Sequence, residues 1–549
     1  MTGFFRRFCA VLLVVALIIV LGAQSADAHS QIDSSDPANG EMLKTSPKSI
    51  SLSFSEDVDV TPNSIRLFND RGKQVNINDS ASAANGEVRI SVPTLEKGTY
   101  VVAWNVISAD THPVKGSFIF SVDSKLNNKF AIDNDFDKYF ANSGDNQFLK
   151  IGFTISRFLI FTSLAVLVAL MFFRIFILQG ELTRKLNSLF LISALVCVAS
   201  SVAAFAFYFS IAREVGLAGV FNIGAFPQEF SFRFGTVTLL RLGSLLGLSV
   251  VWKYWRRPSP IFGFVFSVLL VSSLVFAGHA VVGTHTYLAL LSDFAHLYSA
   301  SIWFGGLIII PFVIKGKNGL QIVRKFSKVA LCCVVVIAIT GVFAWWRQIG
   351  SIDAAMTTWF GQLVNFKTLF FVGTICVAFF TRNHLRASSE KNDSPERTSK
   401  LLKLVYIESV LLVFVMVASA LLVNSIPART ALSVPVSKQV SVSTGYLEIT
   451  VDPPRVGSNQ VHVYMLNKNG TPYPAIETGA SLTNDVIKAT WSNKDKEVSP
   501  IPVTMKFQGL NHFISLNSNV PFPGKWTLKV RIQISDFDVV EASIDVNIR

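Results

Sequence analysis

Two periodicities divide the chain. From His29 to about Asp123, apolar and polar residues alternate in short runs such as Ile50-Ser51-Leu52-Ser53-Phe54, Ser64-Ile65-Arg66-Leu67-Phe68 and Glu87-Val88-Arg89-Ile90-Ser91-Val92. Turn clusters, Asp36-Pro37-Ala38-Asn39-Gly40 and Asp70-Arg71-Gly72, separate them. Side chains that repeat every second residue between turns predict antiparallel strands, here a small barrel or sandwich over 29–125. The pattern then changes to eight apolar runs, at roughly 153–178, 186–211, 235–255, 261–282, 287–314, 328–348, 364–382 and 401–425. Each is long enough to cross a bilayer as a helix. After Pro427 the alternation returns in Tyr446–Val451, Val461–Leu466 and Trp526–Arg531, which predicts a second β-sandwich over 445–549. Residues 126–149 and 426–444 are read as linkers on either side of an eight-helix membrane bundle at 150–425. The expected fold class is therefore a multi-domain membrane protein: an all-β domain, a transmembrane bundle and a C-terminal β-sandwich.

The first 28 residues have the form of a secretory signal. Arg6 and Arg7 precede an apolar stretch that runs to about Leu21, and Ala26-Asp27-Ala28 closes it with an A-x-A cleavage pattern. The alternative is an uncleaved anchor. Charge in the loops gives an independent indication. Arg184/Lys185, Lys253/Arg256/Arg257, Lys315/Lys317/Arg324/Lys325 and Arg382/Arg386/Lys391/Arg397/Lys400 occupy every other loop. The positive-inside rule places those loops in the cytoplasm and both β-domains outside it. The predicted location is a multi-pass cell-membrane protein. Most of the net charge of +13 is accounted for in this way, so nucleic acid is not an expected partner. A mean hydropathy of +0.46 agrees with a lipid environment.

Composition narrows the chemistry. Cys9 lies in the signal, and Cys197, Cys332, Cys333 and Cys376 lie in apolar runs, so the exported parts have no thiolate to offer a metal and no disulfide framework. The methionines are few and scattered. Nitrogen and oxygen ligands remain. Cleavage after Ala28 would make His29 the mature N-terminus, placing a free α-amine and an imidazole on one residue. The amine, with an ordinary pKa of about 8, loses its proton readily to a metal. Cu(II) is the strongest competitor for such donors. In Ser108-Ala109-Asp110-Thr111-His112-Pro113, an extended backbone would put Asp110 and His112 on one face, about 7 Å apart. They could then complete a three-nitrogen, one-oxygen field on a metal held by His29. A polar turn at the end of a strand would look the same from spacing alone.

His29–Leu43, Ser51–Val58 and Tyr100–Val122 closely resemble the CopC family of exported copper-binding β-barrels. The resemblance implies a Cu(II) site made by His29, Asp110 and His112, with no Met-rich Cu(I) loop.

A second set lies at 278–306, where His279 and His285 precede Asp293, His296, Ser299, Ser301 and Trp303-Phe304-Gly305-Gly306. Asp293 and His296 are three apart and share a helical face. Ionisable residues inside a membrane segment usually face a cavity or a pathway. The simpler account pairs Asp293 with an intramembrane Arg241 or Arg157. With Phe326-Ser327, Thr340-Gly341, Phe360-Gly361, Lys367 and Glu408, this region resembles the CopD family of membrane copper proteins. The resemblance implies copper passage, with His279, His285, Asp293 and His296 as candidate path residues. The exported tail resembles YtkA-like domains, and its His462 and His512 are read as structural.

The expected function is copper uptake. The exported domain captures Cu(II) and hands it to the bundle, and other extracytoplasmic copper-binding proteins are possible donors. No Walker or phosphorylation motif is present, so ATP is not the direct driver. No enzymatic activity is expected. The rivals are a haem or copper oxidoreductase in the membrane and a copper buffer or sensor without transport.

Overall fold

The computed structural model describes most of residues 32–124, 147–278, 286–466 and 486–548, with breaks in loops that include 109–112, 214–229 and 388–394. Helices and strands fall largely into separate compact units.

The N-terminal strands form two sheets. Strands β1 (Ile32–Asp36), β3 (Ser49–Phe54), β6 (Ser82–Ala84) and β7 (Glu87–Ser91) pair in the order β1-β3-β7-β6. The second sheet runs β2-β9-β8-β4, from Met42–Leu43, Pro113–Val122, Gly98–Ser108 and Val58–Asp59, with β5 (Ile65–Asn69) also on β8. The alternation seen in sequence is the burial pattern: Ile50, Leu52 and Phe54 point into the core, where Leu67, Val88, Val102 and Phe120 join them. Pro113 opens β9, a position where its missing N–H disturbs no ladder. Gly116 makes room on the same strand, because a Cβ there would lie 2.0 Å from the Trp104 ring.

Among the described residues eight long helices follow: α1 (Gln147–Phe172), α2 (Arg184–Ala212), α3 (Arg233–Lys253), α4 (Ser259–Val275), α5 (Thr286–Val313), α6 (Gly319–Gln348), α7 (Trp359–Ala387) and α8 (Pro395–Leu422). Seven are long and apolar enough to cross a membrane, while α4, with 17 residues, is shorter. Each of the eight apolar runs thus holds one of these helices. Several helices continue past their apolar run: α6 begins at Gly319 and carries Arg324, Lys325 and Lys328 in its first turns. A final π-turn, Phe173–Ile177, extends α1.

Close approach of α1 and α5 depends on Gly305. A Cβ there would sit 2.3 Å from the Ala165 carbonyl oxygen and 2.6 Å from the Ala169 methyl. Small residues at such crossings allow van der Waals packing that lipid cannot replace. Because the obstacle is backbone, Gly305→Val must separate the helices, at a cost of several kcal/mol by the usual measure of overpacking. The expected result is a several-fold lower level of membrane-inserted protein by quantitative blotting, with Gly243→Ala, which meets open space, as the unaffected control.

The C-terminal strands form a sandwich. Strands β10 (Val436–Val442), β11 (Gly445–Asp452), β12 (Gly457–Leu466), β16 (His512–Val520) and β15 (Lys506–Gly509) make a five-stranded sheet in that order. Strands β14 (Val498–Val503), β13 (Ile487–Asn493), β17 (Gly524–Gln533) and β18 (Val539–Ile548) make the other. Their core includes Leu447, Val463, Phe513, Ile544 and the fully buried Trp491 and Trp526. The indole of Trp491 donates to Ser518 at 2.7 Å and that of Trp526 to the Phe522 carbonyl at 3.0 Å, so neither buried N–H lacks an acceptor.

Candidate functional site

The exported copper ligands expected from sequence, His29, Asp110 and His112, lie outside the described residues, as do His279 and His285. The strands that flank the Asp110/His112 segment are described: β8 ends at Ser108 and β9 begins at Pro113.

In the helical unit the structure assembles the other expected pair and adds to it. Asp293 and His296 sit in the first three turns of α5 and are partly buried. His296 Nδ1 lies 2.9 Å from the Thr340 hydroxyl on α6, which itself donates to the Val336 carbonyl at 2.7 Å. With its proton committed to that carbonyl, Thr340 accepts from His296 Nδ1–H. Nε2 is then the nitrogen that carries the lone pair. Two cations complete the group. Arg347, near the end of α6, and Lys367, near the start of α7, both act electrostatically on Asp293, and Lys367 also acts on His296. Arg241 is not the partner of Asp293: its Nε donates to the Ser273 hydroxyl at 3.1 Å and its Nη2 to the Ser273 carbonyl at 3.4 Å. Arg157 donates to Asn424 Oδ1 at 3.1 Å. Sequence reasoning placed Lys367 and Thr340 among motif residues without joining them to Asp293 and His296. The α5–α6–α7 packing makes that connection.

Residues of α5, α6, α7 and α8 line a partly open, largely apolar cavity of about 170 Å³ nearer the opposite ends of α5, α6 and α7. Trp303, Leu307 and Ile310 of α5, Phe326 and Ser327 of α6, Thr381 and Arg382 of α7, and Glu408 of α8 line it. Glu408 is 2 % exposed and accepts a short hydrogen bond from the Thr381 hydroxyl. Arg382 turns its Nη1 to the Ser327 carbonyl at 3.0 Å. Along α5 the step from His296 to Trp303 is seven residues, about 10 Å of helix. A polar cluster near one end of these helices and a carboxyl-bearing cavity near the other are thus stacked on shared elements. Among the described residues no group of three or more His, Cys, Asp and Glu side chains could hold a metal ion.

Fold and motifs together define a copper-handling protein in which a CopC domain is fused to a CopD membrane domain. CopC matches residues 32–123, the N-terminal domain of copper resistance protein D-like proteins matches 148–287, and copper resistance protein D matches 320–422. The chain belongs to the CopC family through its first domain and carries CopD as its second. It is 24 % identical to the copper transport protein CutJ of Bacillus subtilis (strain 168), over 96 % of this chain and 97 % of that one. Copper resistance protein C of Xanthomonas campestris pv. juglandis is 33 % identical over 20 % of this chain and 91 % of its own length. Among solved structures, CopC from Methylosinus trichosporium OB3b covers 18 % of this chain at 32 % identity, with a TM-score of 0.16. Residues 288–319, which hold Asp293, His296 and the Trp303–Gly306 stretch, fall between the two CopD-related matches.

Proposed function

We propose that this chain imports copper. The exported CopC domain takes Cu(II) with the amine and imidazole of His29, the carboxylate of Asp110 and the imidazole of His112. It then releases the ion to the outer mouth of the bundle, where His279 and His285 precede the Asp293–His296 group. The observation that carries this reading is the stacking of that group and the Glu408 cavity on α5, α6 and α7. Copper is the cargo, passed between sites that each hold it weakly enough to let it go. The loop charges orient the bundle so that α5 begins outside, and the ion meets His296 before Glu408. The relatives are copper transport and copper resistance proteins, so an enzymatic reading has no positive support. The C-terminal sandwich, read as YtkA-like, lies on the exported side.

The test is cellular copper content under copper limitation, with and without the chain. Import predicts lower cytoplasmic copper on deletion and recovery on re-expression. Unchanged copper with intact Cu(II) binding would leave a buffer or sensor. A Soret band in the purified chain would instead point to the oxidoreductase.

A further inference from the structure

Two histidines that are fifty positions apart in sequence meet in the C-terminal sandwich. Register explains why. Strands β12 and β16 pair with Tyr464 opposite His512 and His462 opposite Ile514, so His462 and His512 are diagonal neighbours on one face of the sheet. That face is the one opposite the core, because Val461, Val463 and Met465 point inward between them. His512 is nevertheless only 2 % exposed.

The two rings lie nearly parallel, with 7° between planes and centroids 5.4 Å apart, and His462 Nδ1 is 3.2 Å from His512 Nε2. Tyr464 stacks on His512 at 4.1 Å and 6°. Two details fix where the protons of this pair lie. His462 Nε2 lies 3.4 Å from Gln460 Oε1, an acceptor, so the ring proton belongs on Nε2 and the Nδ1 lone pair faces His512. In that tautomer His512 must supply the proton through Nε2. Its Nδ1 is then a buried acceptor, and it has no hydrogen-bond partner among the described residues. An ion can take the place of this hydrogen bond when the His512 proton moves from Nε2 to Nδ1, which turns two nitrogen lone pairs toward each other across 3.2 Å.

We propose that His462 and His512 form a two-coordinate site for Cu(I) in the C-terminal sandwich. The donor set favours Cu(I) over the divalent ions. Cu(II) and Zn(II) take three or four protein ligands, and no third His, Cys, Asp or Glu joins this pair among the described residues. Burial also opposes higher charge, since the cost of desolvating an ion rises steeply with it. Glu448, cross-strand neighbour of Tyr464, is a source of negative charge and accepts from Ser437 at 3.1 Å. It can offset one positive charge from a distance without acting as a ligand. Two metal–imidazole bonds of about 2 Å span about 4 Å when collinear. The rings must part by somewhat less than 1 Å to admit the ion, and the two side chains can supply that by small χ changes.

The site concerns binding alone and stands whether or not the chain imports copper. The test is anaerobic titration of the full-length chain in detergent with Cu(I) bicinchoninate, comparing wild type with His462→Gln, His512→Asn and Gln460→Leu. His462→Gln and His512→Asn should each lose one Cu(I) equivalent, with affinity at that site down at least 100-fold. Gln460→Leu should keep the equivalent but bind about tenfold more weakly, as expected when the group that orients a ligand ring is removed. In the His112→Ala/His296→Ala background, copper K-edge absorption of the loaded chain should show two nitrogen neighbours and the strong pre-edge of two-coordinate Cu(I). Because His512 is buried, near-ultraviolet circular dichroism checks each variant's fold, and the more accessible His462→Gln carries the test if His512→Asn fails to fold. A folded His462→Gln chain that keeps the wild-type Cu(I) stoichiometry and affinity overturns the proposal.

Discussion

A chain that begins one residue before His29 should lose Cu(II) affinity by about a thousandfold, the equivalent of roughly 4 kcal/mol. The reason is a change of bond type rather than of shape. As the first residue, His29 offers an amine whose proton leaves near neutrality and an imidazole that closes a chelate ring with it. With any residue ahead of it, the same nitrogen becomes an amide, and its lone pair is delocalised into the carbonyl. The chelate is lost and one of four donors goes with it. Competition titration of the full chain against a Cu(II) chelator would measure this, after N-terminal sequencing has confirmed a start at His-Ser-Gln-Ile. His112→Ala should weaken binding more than Asp110→Ala, because imidazole is the better Cu(II) donor. Equal affinity with and without the extra residue would remove the terminal chelate from the proposed site.

What could be read from sequence was what lies in one segment. The Ile50–Phe54 alternation states which side chains face a core, and the apolar runs state which stretches can cross lipid. Both follow from the local period alone. Helix ends were less legible. The apolar run at 328–348 marks the lipid-compatible stretch, whereas α6 begins at Gly319, because Arg324 and Lys325 are good helix formers that simply stand in water. The 261–282 run overestimates α4, which ends at Val275. There Ala277 and Gly278 turn back to the carbonyls of Leu274 and Val275, and the helix tightens and stops. What sequence could not supply was partnership across elements. His462 read as structural because a lone histidine on a strand usually is. Its neighbour His512 becomes visible only once the β12–β16 register is fixed. In sequence the simpler alternative for Asp293 is an ion pair with Arg241 or Arg157. The cations that act on it, Arg347 and Lys367, lie on α6 and α7.

His296→Ala should abolish rescue of growth on limiting copper while leaving Cu(II) binding by the exported domain unchanged. His296 is the one described imidazole in the outer group, and its Nδ1 is tied to Thr340, so Nε2 is the donor left for a passing ion. Alanine removes that donor without changing the charge of the group, so a passing ion loses the lone pair it would meet beside Lys367 and Arg347. Asp293→Asn should act in the same direction and at least as strongly, since it deletes the carboxylate that both cations feel. Substitution of His29 or His112 should behave differently. Capture is then impaired and the path survives, so rescue returns when external copper is raised. Glu408→Gln separates the two ends of the bundle: it keeps size and the Thr381 contact but removes the charge available to an ion in the inner cavity. It should lower copper accumulation without moving the copper concentration that half-saturates uptake. Membrane abundance of every variant has to match wild type for the comparison to hold. If His296→Ala and Asp293→Asn chains of normal abundance rescue fully, copper does not pass along α5. The exported domain would then keep its copper, and the bundle would need a different task.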